Sequence, residues 1–410
     1  MRLYPAPPEM IVSRLAIVTS HPVQYYAPWF RFLAGEAGLD LKVFYLWDGG
    51  VREHRDPGFG HGVRWDVPLL DGYVHEFVPN TSATPGTEHF SGLRNPTLSA
   101  RLRAFAPGAT LLVGYNHLSF MRQIFAGWPA RSRTPLIFRG DSHCLSPRPA
   151  NLRERLRHQL IAAVYRRFSA VLYVGQANRE YFRRHGVPEE RLFFCPHAVD
   201  NDRFESAGDA TRAEAMKWRA ALGIPVEHAL VMFAGKFEDK KRPLDLLAAF
   251  QRLDPALAAS LLFVGAGHLT DALRTAAAGV PNVHFAPFQN QSYMPRTYAA
   301  ADLFVLPSQG RGETWGLAIN EALCLGRPVI VSNHVGCAAD LVEPGRNGLV
   351  FPAGNVDALA AALRDALSDR VRLTRWGEEG RRIVARYGYE QATAGLVEAL
   401  NALDTRRSLP

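Results

Sequence analysis

Short, continuously apolar runs alternate with longer segments of helical periodicity along most of the chain. The first set lies at residues 15–19 (L-A-I-V-T), 41–46, 110–114, 135–139, 170–175 and 191–196. A second set restarts at 229–234 and continues at 261–264, 283–288, 303–308, 328–332 and 348–352. Apart from single residues such as Lys42, Arg139, Arg191 and His284, these runs are apolar at consecutive positions, not at every other one. That pattern predicts strands covered on both faces, as in a parallel sheet with helices packed on each side. Between the two sets, residues 200–228 carry charge, Gly and Pro and no strand pattern, which places a linker at 206–228. The chain therefore reads as α/β, with one β/α repeat over residues 1–205 and another over 229–385.

Several helix starts are legible. After Pro22 and Pro28 hold a loop open, Trp29, Phe30, Phe32 and Leu33 begin a helix. Asn95-Pro96 reads as an N-cap followed by proline at the first helical position. Asn151 and Glu154 form a capping box opening a helix to Phe168, with the stripe Leu152, Leu156, Leu160, Ala163 and Val164. Its other face carries Arg153, Arg155, Arg157, Arg166 and Arg167, which suits either solvent or an anionic membrane surface. Further helices are expected from Val356 and over 389–403. Residues 47–95 show no sustained periodicity; a loop-rich segment of that length predicts a binding wall.

The richest stretch runs from Glu313 to Pro328, E-T-W-G-L-A-I-N-E-A-L-C-L-G-R-P. Leu317, Ala318, Ile319, Ala322, Leu323 and Leu325 predict a short buried helix ended by Gly326. Glu313 lies just before it and Glu321 a turn inside it. Free N–H groups at the helix start attract an anion, and carboxylates beside them accept hydroxyl hydrogens. Such a site suits a ligand that is both phosphate and sugar.

Composition narrows the field. The chain has 410 residues, 47% hydrophobic and 21% charged, as expected of a globular protein of two domains. The N-terminus lacks a signal-peptide core and no apolar run reaches the length of a membrane span, which predicts a cytoplasmic location. The four cysteines are scattered, so neither a zinc module nor a disulfide framework is expected. A net charge of +8 favours anionic partners such as sugar nucleotides or an acidic membrane surface. No nucleic-acid motif accompanies the charge, so no nucleic-acid partner is expected.

Other chemistry-bearing residues fall at predicted strand ends, where open α/β sheets place ligand contacts. His21, Gln24 and Tyr25 follow the first strand, and Asp141 and His143 follow the run at 135–139. Gly235, Lys236 and Lys241 follow the run at 229–234; two lysines on one loop neutralise a diphosphate without a metal. Gly265 and Gly267 follow the next strand but lack the third glycine of a dinucleotide fingerprint. No metal-ligand spacing, catalytic triad or Walker loop is present, and no cofactor is expected.

Taken together, F-A-G-K-F-x-x-x-K-R-P-L-D-L-L-x-A-F, L-F-V-G-A-G, the two glutamates of 313–321, G-R-P-V-I-V-S and G-R-N-G-L-V-F-P resemble the retaining GT-B glycosyltransferases of glycosyltransferase family 4. The resemblance implies two Rossmann-like domains facing across a cleft, with acceptor contacts in 1–205, donor contacts in 229–385, and a final helix, 386–410, packing back on the N-terminal domain. It implies transfer of a sugar from a nucleotide-diphosphate sugar to an acceptor hydroxyl on a glycan, lipid-linked sugar or small molecule. Glu321 would bind ribose. Glu313, Thr314 and the N–H groups of Gly316 and Leu317 would hold the donor sugar and proximal phosphate. Lys236 and Lys241 would stabilise the leaving diphosphate, and Phe288 would lie by the base. The family's N-domain histidine corresponds to His143 or to Asp141, with His143 the favoured match. Lys236 stands where the family commonly has Arg, and Ser20–Tyr25 replaces its glycine-rich first loop. An epimerase of the same architecture or a non-catalytic binder of nucleotide sugars are the rival readings.

Overall fold

The computed structural model describes residues 14–51, 54–55, 58, 62–126, 134–146, 149–205 and 208–407. In chain order the first strands are β1 (Arg14–Thr19), β2 (Asp40–Tyr45), β3 (His54–Arg55), β4 (Gly62–Val63), β5 (Val74–Phe77), β6 (Ala109–Val113), β7 (Leu136–Arg139), β8 (Ala170–Tyr173) and β9 (Leu192–Phe194). Apart from the small antiparallel pair β3–β4, they form a seven-stranded parallel sheet in the order β5-β2-β1-β6-β7-β8-β9. The second sheet holds β10 (Ala229–Ala234), β11 (Ala259–Val264), β12 (Val283–Ala286), β13 (Leu303–Leu306), β14 (Val329–Ser332) and β15 (Gly348–Phe351). Its order is β12-β11-β10-β13-β14-β15, again all parallel. Every residue of β10 is buried, so both faces of the sheet are covered. Met232, Leu262 and Phe304 pack on one face, while Val231, Phe233 and Phe263 pack on the other.

Both sheets reverse strand order beside their first strand, between β1 and β6 and between β10 and β13. Loops leaving adjacent strands at such a point diverge and open a crevice at the strands' C-terminal ends. Here the two crevices face each other. The helix Tyr389–Arg407 lies against β8 and β9, and its Ala392, Leu396, Ala399, Leu400 and Leu403 belong to the core of the first sheet.

The structure departs from the expected elements at several points. The helix Ala27–Gly35 starts before Trp29, with Pro28 in its first turn where no N–H partner is needed. Within 47–95, Val74–Phe77 forms an edge strand; its V-H-E-F sequence has no apolar run because its residues are only partly covered. Asn95 does not cap a helix, since the helix is Leu98–Phe105 with Thr97 at its N-cap. Instead the buried Asn95 amide donates to the carbonyls of Leu46, Val78 and Pro79, tying the ends of β2 and β5 to the loop at 93–97. Its Oδ1 accepts from Ser119 Oγ at 2.9 Å.

Asn151 does cap its helix, Leu152–Tyr165, by accepting from the Glu154 N–H at 2.9 Å. Its expected stripe is rotated: Ile161, Ala162, Val164 and Tyr165 are buried, whereas Leu152, Leu156 and Leu160 are exposed. Helix Asp209–Ala221 occupies the expected linker and packs on helix Met294–Ala299, adding Ala215 to the core of the second sheet. A further helix, Arg370–Val384, sits where charged residues hid the apolar spacing.

Truncating Asn95 to alanine leaves buried carbonyls without donors, at about 1–3 kcal/mol for an unmet group. We expect Asn95→Ala to lower unfolding free energy by at least about 2 kcal/mol in urea titration; a loss under about 0.5 kcal/mol contradicts this hub role.

Candidate active site

The crevices of the two sheets enclose a cavity of about 480 Å³, within the range of ligand sites. From the second sheet it is lined by the β10 loop (Gly235, Lys236, Glu238, Lys240, Lys241), Gly265 after β11, the loop Phe288–Gln291, and Glu313–Ala318 with Glu321. Val23, Gln24, Tyr25, Tyr26, Trp65, Asp141 and His197 complete it from the first sheet.

Glycine is required where two strand-end loops touch. Gly265 has φ +139°, and a Cβ there would lie 2.0 Å from the Gly235 carbonyl oxygen. Any side chain would push the two loops apart. Gly267 lies behind the wall: a Cβ on it would collide with the Phe237 backbone, and it is absent from the lining.

Helix Leu317–Cys324 begins at Gly316, with φ +98°, and ends before Gly326, with φ +65°. Its first N–H groups have no intrahelical acceptors, and Gly316, Leu317 and Ala318 all face the cavity. Glu313, buried just before it, accepts on Oε2 from the Lys241 ammonium and from Ser308 Oγ. The carboxylate and the ammonium, both expected to meet ligand, are thus also partners of each other. Lys236 lies on the same wall, against the backbone of Gly58 from the opposite domain.

Glu321 is 2% exposed. Tyr298 donates to its Oε2 at 2.8 Å, and Oε1 is left without a hydrogen-bond partner. Tyr25 faces the same carboxyl from the other domain. Burial pushes the Glu321 carboxyl up to about 7; Tyr298, Arg203 and Tyr25 offset it only in part. Burial beside this carboxylate also raises Tyr25 and Tyr298 well above the ordinary tyrosine range, so both stay protonated donors.

On the N-terminal side Asp141, and not His143, lines the cavity. Thr314 Oγ1 donates to Asp141 Oδ2 at 2.7 Å, so this threonine hydroxyl is engaged across the cleft. His197 Nε2 lies 3.4 Å from the same oxygen. Burial opposes ionisation of Asp141, but the His197 and Thr314 contacts outweigh it and hold the carboxyl below its usual range. Burial keeps His197 neutral, and facing a carboxylate its Nε2 must carry the hydrogen.

His143 sits outside the cavity, with both ring nitrogens occupied. Nε2 donates to the Glu313 carbonyl at 3.1 Å, and Nδ1 accepts from the Leu145 N–H at 3.2 Å. It fastens the Glu313 backbone to the N-terminal domain. His21 also lies off the lining; its Nδ1 meets Ser20 Oγ and its ring stands edge-on to Trp47.

Sequence reading passed over Tyr298, His197 and Trp65. Tyr298 has no local signal, because a tyrosine on a short helix between two strands reads as core. His197 follows β9 in C-P-H-A-V-D, the same strand-end position that marked Asp141. Trp65 lay within the expected wall of 47–95.

A carboxyl raised by burial stabilises the fold while protonated. For Glu321 that contribution is complete below the unfolded value of 4.5 and is lost as pH rises through about 7. Asp340, raised by burial to about 6, slopes the same way. Glu321→Gln keeps the neutral form and removes one slope. At pH 8 this variant should exceed the parent by up to about 3 kcal/mol in urea unfolding, with the gap closing toward pH 5; a pH-independent gap contradicts the raised carboxyl.

Residues 214–383 match the family model described as glycosyl transferases group 1. A D-inositol 3-phosphate glycosyltransferase of Rhodococcus opacus (strain B4) is 28% identical over 365 residues, covering 82% of this chain and 78% of that one. A GDP-mannose-dependent alpha-(1-6)-phosphatidylinositol monomannoside mannosyltransferase of Mycobacterium tuberculosis (strain ATCC 25618 / H37Rv) is 32% identical over 250 residues, covering 58% and 63%. Among solved structures, Anabaena Alr3699/HepE in complex with UDP and glucose superposes with a TM-score of 0.70 at 18% identity, over 95% of this chain and 99% of that one. Sucrose-phosphate synthase of Thermosynechococcus elongatus gives 0.70 at 20% identity, over 96% and 100%. Two parallel sheets closing on one cavity, a group 1 match across the second sheet and glycosyltransferase relatives along most of the sequence lead to one assignment: the chain is a glycosyltransferase of GT-B architecture.

Proposed function

We propose that the cavity holds a nucleoside-diphosphate hexose and transfers the hexose, with retention, to a hydroxyl of a lipid-linked glycan. The observation that carries the donor reading is the buried Oε1 of Glu321, unpartnered inside a cavity whose adjoining wall carries Lys236, Lys241 and a helix N-terminus. A buried carboxylate oxygen without a donor is costly until a hydroxyl reaches it. A ribose hydroxyl supplies that hydrogen, which sets the diphosphate toward the helix start and the lysines. The UDP in the Anabaena structure and the GDP-mannose dependence in the mycobacterial relative's name are consistent with such a donor.

The bond between the sugar's anomeric carbon and the diphosphate oxygen breaks, with its electron pair going to that oxygen. Lys236, Lys241 and the N–H groups of Leu317 and Ala318 meet the growing charge. The acceptor oxygen bonds to the anomeric carbon from the side the diphosphate leaves, and its proton passes to the departing phosphate. Glu313 positions Lys241 and borders the hexose. Asp141, ionised and at the N-terminal wall, accepts a hydroxyl hydrogen from the hexose or the acceptor.

Transfer from the preferred donor of a nucleotide-sugar panel, ranked by thermal shift, tests these roles. Lys236→Ala and Glu313→Ala are each expected to lower kcat about 10²–10³-fold. Unchanged rates in both variants overturn the assignment.

The lipid-linked acceptor rests on a surface. Leu152, Leu156 and Leu160, spaced one turn apart, are 58–70% exposed, and Arg153, Arg155 and Arg166 are exposed around them. An apolar stripe bordered by arginines matches an anionic bilayer in both shape and charge. No helix among the described residues is long and apolar enough to cross a membrane. The protein should co-sediment with phosphatidylglycerol vesicles and not with phosphatidylcholine vesicles. Replacing all three leucines by serine should weaken that binding about tenfold or more without lowering Tm; equal pelleting of parent and variant excludes the stripe.

A further inference from the structure

Within the first domain's loop-rich segment 47–95, residues 64–66 reach across the cleft. Asn290 Nδ2 donates to the Arg64 carbonyl at 2.7 Å, and the Ser292 N–H and hydroxyl both donate to the Asp66 carboxylate. Asp66 N completes the set toward Asn290 Oδ1 at 3.4 Å. This clasp joins the N-terminal domain to the loop after β12. Trp65, between its two arms, lines the cavity opposite Phe288; their ring centroids stand 6.3 Å apart at 60°, so the rings do not stack on each other.

The neighbouring amides are already engaged. Gln289 donates to the Pro287 carbonyl and accepts from Arg296, and Gln291 Oε1 accepts from Arg203. The rings of Trp65 and Phe288 are the flat surfaces at this end of the cavity. The loop carrying Phe288 follows edge strand β12, two strands away from β10, whose loop carries the lysines; a base fits at that end when the diphosphate meets the lysines.

We propose that Trp65 is a base-contacting residue supplied by the N-terminal domain, stacking on the nucleobase and held there by the Arg64–Asp66 clasp. This rests on the donor reading above. Affinity for the nucleoside portion then depends on domain closure, because half of its platform arrives from the opposite lobe. Stacking on an aromatic ring tolerates any base, since every base has a π face. Discrimination among bases is accordingly weak at Trp65, whereas discrimination between a nucleotide and a bare diphosphate is strong.

Titration calorimetry of the whole chain with UDP, GDP, ADP and inorganic pyrophosphate separates the possibilities. In Trp65→Ala the tightest nucleoside diphosphate should bind about tenfold or more weaker, pyrophosphate should bind as in the parent, and Trp65→Phe should recover most of the loss. Asp66→Ala, which opens the clasp but keeps the ring, should weaken the nucleotide and spare pyrophosphate. Nucleotide binding unchanged in Trp65→Ala, or pyrophosphate weakened by the same factor, overturns the role of Trp65 while leaving the donor site standing. A parent protein that binds none of the three nucleotides overturns the donor reading and this inference with it.

Discussion

An ionisable carboxyl enclosed by protein is tolerated only when its surroundings answer it, and Glu321 is answered on one oxygen alone. That imbalance orders the site. Tyr298 from the helix beneath and Tyr25 from the opposite domain are both directed at this carboxyl. The polypeptide can keep such a group at the middle of a buried helix because its neighbours there are firmly packed: Ile319, Ala322, Leu323 and Cys324 are all buried, and the buried Asn320 is hydrogen-bonded to Trp315 and His197. The surrounding packing holds the carboxyl in an environment it would not choose by itself.

The same helix is the seam between the lobes. Contacts on the stretch that precedes it cross the cleft at His143–Glu313 and Asp141–Thr314, and within it at Asn320–His197. Residues that touch ligand and residues that join the domains are therefore neighbours in sequence, sometimes the same residue. Thr314 illustrates the overlap: it lines the cavity, yet its hydroxyl belongs to an interdomain bond. Opening the lobes must disturb the site, and occupying the site must bear on closure.

The second sheet was readable because its chemistry is contiguous. Strand runs, the lysine loop and the two glutamates each appear as uninterrupted motifs, and parallel topology brings their ends together. Contributions from the first sheet were harder, because a cavity wall made of Tyr25, Asp141 and His197 is assembled from loops far apart in sequence. Choosing between Asp141 and His143 depended on which side chain turned inward, and spacing carries no information on that. The helix at Leu152–Tyr165 shows another limit. Its capping was evident, but an apolar stripe alone does not say whether it faces a core or the outside. Edge strand Val74–Phe77 escaped notice because partial exposure lets His75 and Glu76 sit in it.

The returning helix, Tyr389–Arg407, bears on how the protein is made. Its side chains fill the core under β8 and β9, strands completed some two hundred residues earlier in the chain. Domains of a growing chain ordinarily fold as they emerge, the first-made first. Here the first sheet lacks one of its covering helices until a segment beyond the whole second sheet has been synthesised, whereas the second sheet has all its strands before then. The first domain is begun before the second and completed after it.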